Sequence, residues 1–252
     1  MRIKLLGLMA LCLMSLITGS AKGQTILYWA DVTVGTPYMS QALAALPGGY
    51  TVTTATSDAD FTTKITSGSY DLGILLIQNF PSSGYTSPGA LGTFVSGGGK
   101  AIYTDWSGDN ALAVPFGASF TGNQNDTTIN IAASNLATGV NNPATLTNPG
   151  FGIFSTGLNA IGGSTVQASF GNGDAAIVLN ASGTSYFNGF LDGTLTTGSD
   201  GVNLYTNEIT GLFAAVPEPT TWAMIGVVTF GTGAFAWNKR RKATKNRFAK
   251  AK

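Results

Sequence analysis

Two periods of apolar residues alternate along residues 25–104. Ile26-Leu27-Tyr28-Trp29 is a short apolar run that predicts a strand. From Thr36 to Leu46 the apolar residues fall at Met39, Ala42, Leu43 and Leu46, close to the repeat of a helix, and Pro47-Gly48-Gly49 stops it. Tyr50 to Ala55 alternates with β-branched Thr and Val, which predicts a second strand. Asp58 then reads as the N-cap of a helix carrying Phe61 and Ile65, with Gly68 as its stop. Leu72 to Ile77 is continuously apolar, as expected of a parallel strand covered on both faces, and Leu75 should lie in its buried centre. Pro88 to Val95 predicts another helix, ended by Gly97-Gly98-Gly99, and Lys100 to Thr104 the next strand. Strands interleaved with helices in this way predict an open parallel α/β sheet with right-handed crossovers.

Beyond residue 106 this rhythm is lost. Gly122 to about Thr147 is rich in Asn and Thr and reads as irregular, with one strand at Thr128–Ile131. Val166–Phe170, Ala175–Leu179 and Ser185–Asn188 are short apolar runs, separated by Gly171-Asn172-Gly173-Asp174 and Asn180-Ala181-Ser182-Gly183. Such turn groups predict hairpins, hence an antiparallel extension of the same sheet, with Val202–Leu212 as a closing helix.

Composition narrows the chemistry. The 252 residues include no His, and the single cysteine, Cys12, lies in the first apolar run. That excludes Ser-His-Asp and Cys-His nucleophiles, His or Cys metal sites and disulfides from the body. The net charge of +1 hides an uneven distribution. Residues 22–216 carry 11 acids against Lys22, Lys64 and Lys100, a formal charge of −8, and eight basic residues follow Trp237. An acidic body repels phosphate backbones, so nucleic acid is an unsuitable partner.

The two ends carry addressing signals. Arg2 and Lys4, the apolar run from Leu5 to Ile17 and the small residues Thr18-Gly19-Ser20-Ala21 read as a secretory signal peptide over 1–21, cleaved after Ala21 by signal peptidase of the general secretion machinery. At the other end, Val216-Pro217-Glu218-Pro219 precedes an apolar stretch ending at Trp237 and the basic run Lys239-Arg240-Arg241-Lys242. Residues 220–237 would span about 27 Å as a helix, enough for a hydrocarbon core, with Trp222 and Trp237 at its interfaces. A permanent anchor helix would have the same span and basic flank. The order Pro-Glu-Pro, short span, Arg-rich tail resembles the PEP-CTERM sorting signal of Gram-negative bacteria. That resemblance implies an exosortase, a membrane enzyme that cuts near Pro217–Pro219 and releases or transfers the body. Residues 217–252 then form the sorting signal, with the basic tail 239–252 inside, and 22–216 a single exported α/β domain. The chain would be held transiently in the inner membrane, body outward, before reaching the cell surface or the extracellular medium.

Residues 25–120 carry a second resemblance. Tyr70-Asp71 opening an apolar strand, Leu91 to Val95, Gly97-Gly98-Gly99-Lys100 leading into the next strand, and Phe116-Gly117-Ala118-Ser119-Phe120 are similar to class I glutamine-amidotransferase-like domains of the trehalose-utilisation type. The resemblance implies a flavodoxin-like sheet with helices on both faces. Catalytic members place a Cys on the tight turn after a central strand and a His elsewhere. Here Thr104-Asp105-Trp106-Ser107 follows the corresponding strand, so that chemistry does not carry over.

In an open α/β sheet, ligands bind beyond the carboxyl ends of the strands, at a switch in strand order. Asp31, Gln78, Asn79, Asp105 and Trp106 follow predicted strands, with Asp109 slightly further on. Together they would make a cleft for sugar hydroxyls, or for Ca²⁺ held by Asp31, Asp105 and Asp109. Their other reading is as solvated loop residues and helix caps. No other cofactor is expected. Two functions follow: a non-catalytic surface or biofilm-matrix protein that associates with exopolysaccharide, or a carbohydrate-active enzyme using carboxylates alone, such as Asp105 and Asp109 as acid and base.

Overall fold

A computed structural model describes residues 23–79, 84–105 and 108–214. The described residues up to Ile209 group as one compact unit, and the last turn of the final helix, residues 210–214, falls outside it.

Four strands and three helices alternate first: β1 (Gln24–Ala30), α1 (Tyr38–Ala45), β2 (Tyr50–Thr54), α2 (Asp58–Thr66), β3 (Leu72–Ile77), α3 (Ser87–Ser96) and β4 (Lys100–Asp105). A short helix α4 (Asn110–Ala113) and a 3₁₀ turn at Val114–Phe116 follow. The next strands are β5 (Ala118–Gln124), β6 (Thr128–Ile131), β7 (Ala144–Thr145), β8 (Ser155–Ala160), β9 (Thr165–Phe170), β10 (Ala175–Leu179) and β11 (Ser185–Asn188). Helix α5 (Gly198–Ala214) closes the described chain.

The strands form one sheet in the order β2-β1-β3-β4-β11-β10-β9-β6-β7, with β5 joined through β8. From β2 to β11 every neighbour is parallel. From β11 onward every pairing is antiparallel. Strand order reverses between β1 and β3, which is the switch point of a flavodoxin-like sheet.

The parallel strands are apolar because both faces are covered. Leu72 to Ile77 are all buried and Leu75 is fully so. Helices α2 and α3 cover the face bearing Leu27, Trp29, Leu75, Ile77 and Tyr103, through Phe61, Ile65, Leu91 and Val95. Gly73 opens that face to them: a Cβ there would stand 2.6 Å from Leu91 Cδ1. On the opposite face, α1 and α5 meet where Gly201 abuts the Tyr38 ring.

Three expectations need correction. The N-cap of α2 is Ser57, whose hydroxyl accepts the Asp60 N–H, while Asp58 sits inside the first turn. Its carboxylate instead accepts N–H bonds from Thr86 and Ser87 at the start of α3 and the Thr86 hydroxyl. Ser185–Asn188 is not only a hairpin partner of β10: it lies parallel to β4, pairing Tyr186 with Ile102 and Phe187 with Tyr103, and completes the parallel layer as its fifth strand. The Asn/Thr-rich stretch is more regular than expected, since β5 runs to Gln124 and β7 adds a bridge at Ala144–Thr145.

Candidate functional site

The carboxyl ends of β1 and β3 flank the switch point, and three of the expected site residues meet there. Asp31 Oδ1 accepts the Gln78 backbone N–H at 2.8 Å and Oδ2 accepts that of Asn79 at 3.0 Å. Gln78 is buried, donates Nε2 to the Val32 carbonyl at 2.9 Å and accepts the Asp192 N–H on Oε1 at 2.8 Å. One side chain thus ties the loop after β1 to the segment that follows β11. The same two segments touch at Gly35 and Gly193, where a Cβ on Gly193 would stand 1.8 Å from the Val34 carbonyl oxygen. No larger residue fits without moving the backbone.

An aromatic pair lies beside this point. Trp29 and Tyr85 meet edge to face, ring centroids 5.3 Å apart, with Tyr85 half-buried. Burial and then the negative charges of Asp31 and Asp58 push the Tyr85 phenol upward.

The other expected residues do not join Asp31. Asp105 is buried at the end of β4, where Oδ2 accepts the Tyr103 hydroxyl at 2.8 Å. Asp109 caps α4 by accepting the Ala111 N–H at 2.9 Å. Among the described residues no three His, Cys, Asp or Glu side chains gather as a group able to hold a metal ion, so Asp31, Asp105 and Asp109 do not form the Ca²⁺ cluster that their strand-end positions suggested. Trp106 lies outside the described residues, as do Ala21, Val216, Pro217, Glu218, Pro219, Arg240 and Arg241.

Strand-end reasoning overlooks a second polar group, buried behind the switch point. Asp192 accepts the Met39 N–H on Oδ1 at 2.9 Å, and burial pushes its carboxyl up to about 7 against that hydrogen bond and the nearby Tyr205 hydroxyl. Glu208 on α5 is fully buried, accepts Asn188 Nδ2 at 3.2 Å, and is pushed up to about 8 by burial. One signal is present in the sequence: Glu208 stands four residues from both Leu204 and Leu212, a lone acid on an apolar helical stripe.

With this geometry in place, comparison with known proteins bears on both ends of the question. Residues 215–242 match the family model of the PEP-CTERM protein-sorting motif. The chain carries an exosortase sorting signal. The PEP-CTERM motif marks an exported protein that is held at its C-terminus and then processed by an exosortase. Among the described residues no helix is long and apolar enough to cross a membrane, and the 220–237 span lies outside them.

No curated protein matches the sequence. Among solved structures, a protein described as a GMP synthase subunit from Thermoplasma acidophilum aligns at 15% identity with a TM-score of 0.52, over 76% of this chain and 94% of that one. A glutamine amidotransferase from Thermotoga maritima aligns at 10% identity and a TM-score of 0.46, over 68% of this chain and 77% of that one. An exo-β-1,4-mannosidase from Opitutaceae bacterium strain TAV5 aligns at 10% identity and 0.46, over 81% of this chain and 38% of that one. The body therefore shares its fold with the Thermoplasma protein, an open flavodoxin-like α/β sheet.

Proposed function

We propose that this chain is a cell-surface or extracellular-matrix protein with a non-catalytic body, delivered by exosortase processing and associated with exopolysaccharide. The observation that carries this reading is the pairing of an amidotransferase-like fold with a chain that has no His and a single Cys at position 12. Acyl transfer of that type needs a thiolate activated by a base, and the body supplies neither partner. A glycosidase would need two carboxyls flanking one bond. Of the carboxylates at the strand ends, Asp31 is occupied by two backbone N–H groups, Asp105 is buried under the Tyr103 hydroxyl and Asp109 caps a helix, which favours structural roles.

What remains at the switch point suits binding. The Trp29–Tyr85 pair offers a ring face beside backbone and amide groups, a combination that accommodates the apolar face and the hydroxyls of a sugar. The formal charge of −8 over residues 22–216 favours a neutral polysaccharide as partner, or an anionic one through bridging cations.

The test is to take the processed protein from an exosortase host and screen it on glycan arrays and on chromogenic glycosides. Retention on a glycan without turnover is expected, and Tyr85→Ala should lose retention while the protein still unfolds in one cooperative transition, at a somewhat lower temperature because the ring packs on Trp29. Turnover of any glycoside by the wild type would replace this reading with the enzymatic one.

A further inference from the structure

Two fully buried polar atoms on neighbouring elements lack partners in a way that one proton explains. Asn188, the last residue of β11, donates Nδ2 to Glu208 Oε2 on α5 at 3.2 Å. Among the described residues, Asn188 Oδ1 and Glu208 Oε1, the remaining oxygens of the same two groups, meet no hydrogen-bond donor. An ionised carboxylate and an amide oxygen are both acceptors only, so each would be left buried and unsatisfied, at a cost comparable to several lost hydrogen bonds. A neutral carboxylic acid is also a donor, and it forms with a primary amide the same two-bonded ring as an amide pair.

Among the described residues no lysine or arginine faces Glu208. The titratable groups facing Glu208 are Tyr186 on β11 and Tyr205 on α5, and Asp192 and Tyr28 face Tyr205. The lysines of the described chain lie elsewhere: Lys64 pairs with Asp60 on α2, and Lys100 opens β4, at the end of that strand away from Asn188.

We propose that Glu208 is held as a neutral acid that donates its Oε1 hydrogen to Asn188 Oδ1, so that α5 is latched to β11 by an acid–amide pair that opens when the acid ionises. The latch makes docking of the closing helix depend on external pH. Helix α5 ends at Ala214, immediately before the sorting motif at 215–242, so the pH-sensitive element is the one that leads into the processed segment.

The direction follows from linkage. A carboxyl whose folded-state pKa is raised binds its proton more tightly in the folded protein. Its contribution is complete below the ordinary carboxyl range and is lost as pH rises, until the folded value of about 8 for Glu208 is passed.

Glu208→Gln provides the test, because a glutamine amide donates and accepts at the same two positions without titrating. Thermal and denaturant unfolding of the full chain in detergent would be followed from pH 5 to 9, for wild type and E208Q. The ratio of the wild-type to the E208Q unfolding constant should rise about tenfold per pH unit between about 5 and 8 and then level. A ratio that stays flat over this range would overturn the proposal. Infrared difference spectra of the wild type need no variant. At pH 6 they should contain carboxylic-acid carbonyl absorption that persists in Asp192→Asn and disappears by pH 9. Its absence from Asp192→Asn at pH 6 would equally contradict a protonated Glu208.

Discussion

The parallel and antiparallel halves of the sheet are held together by different means. In the parallel half, β3 is a run of six buried residues and the helices of both faces close over it. Its core is apolar packing, which depends on area and volume rather than on any one partner. In the antiparallel half, short polar side chains supply many of the ties. Asn180 holds the turn into β11, Asn142 exchanges hydrogen bonds with Ile131 in β6, and Asp126 accepts N–H bonds from Thr128 and Asn172. Pattern alone specifies the first kind of structure. The second depends on which distant backbone group a given Asn or Asp happens to meet.

The sharpest way to break this contrast is Leu75→Ala. Leu75 is fully buried in the central strand, so truncation removes transfer free energy and leaves a cavity, about 2–5 kcal/mol in all. Denaturant unfolding of the exported body is the measurement, and a loss below about 0.5 kcal/mol would mean that the parallel layer does not carry the core. Gln78→Ala should come next. It removes both bonds that tie the loop after β1 to the segment after β11 and leaves the Val32 carbonyl and the Asp192 N–H without that partner, a loss of about 3 kcal/mol. Chemical melts compared with hydrogen exchange at Asp192 would separate a global from a local loss. Asn180→Ala should cost least, about 1–2 kcal/mol, because its partners Thr184 and Ser185 lie within five residues and water can replace part of the cap. If Asn180→Ala proved costlier than Leu75→Ala in the same melts, the ranking of the two halves would be reversed.

The same contrast explains what can be read from the sequence. The strand at Leu72–Ile77 and the helices carrying Phe61, Ile65 and Leu91 announce themselves through uninterrupted apolar runs and helical spacing, and the fold class follows from their alternation. Strand β8, Ser155–Ala160, escapes a sequence reading because Ser-Thr-Gly-Leu-Asn-Ala has no strand pattern of its own. Its regularity comes from pairing with β5, whose Thr121-Gly122-Asn123 is equally uninformative. Strand β11 is legible as a strand, but its place beside β4 is not, since a four-residue run cannot show that the chain returns to the parallel layer after the intervening antiparallel strands.

At the site, strand-end reasoning brings Asp31, Gln78 and Asn79 to one place. It cannot show that Asp31 is occupied by backbone donors 47 and 48 residues away, or that Gln78 reaches Asp192 across 114 residues. Asp105 and Asp109 share the same edge of the sheet, yet a tyrosine two residues back and a helix start two residues on claim them first. Local partners within the chain outcompete the distant convergence that a metal site would need.

The central claim is that this body is exported and that an exosortase then removes the motif at 215–242, and intact-mass analysis of the mature protein from an exosortase host tests it most directly. The mass should correspond to a chain that begins near Lys22 and ends near Pro219, and deletion of residues 217–252 should move the body to the soluble exported fraction. A mature surface protein that still contains Trp222 to Lys252 would contradict exosortase processing and leave the C-terminal segment as a permanent anchor.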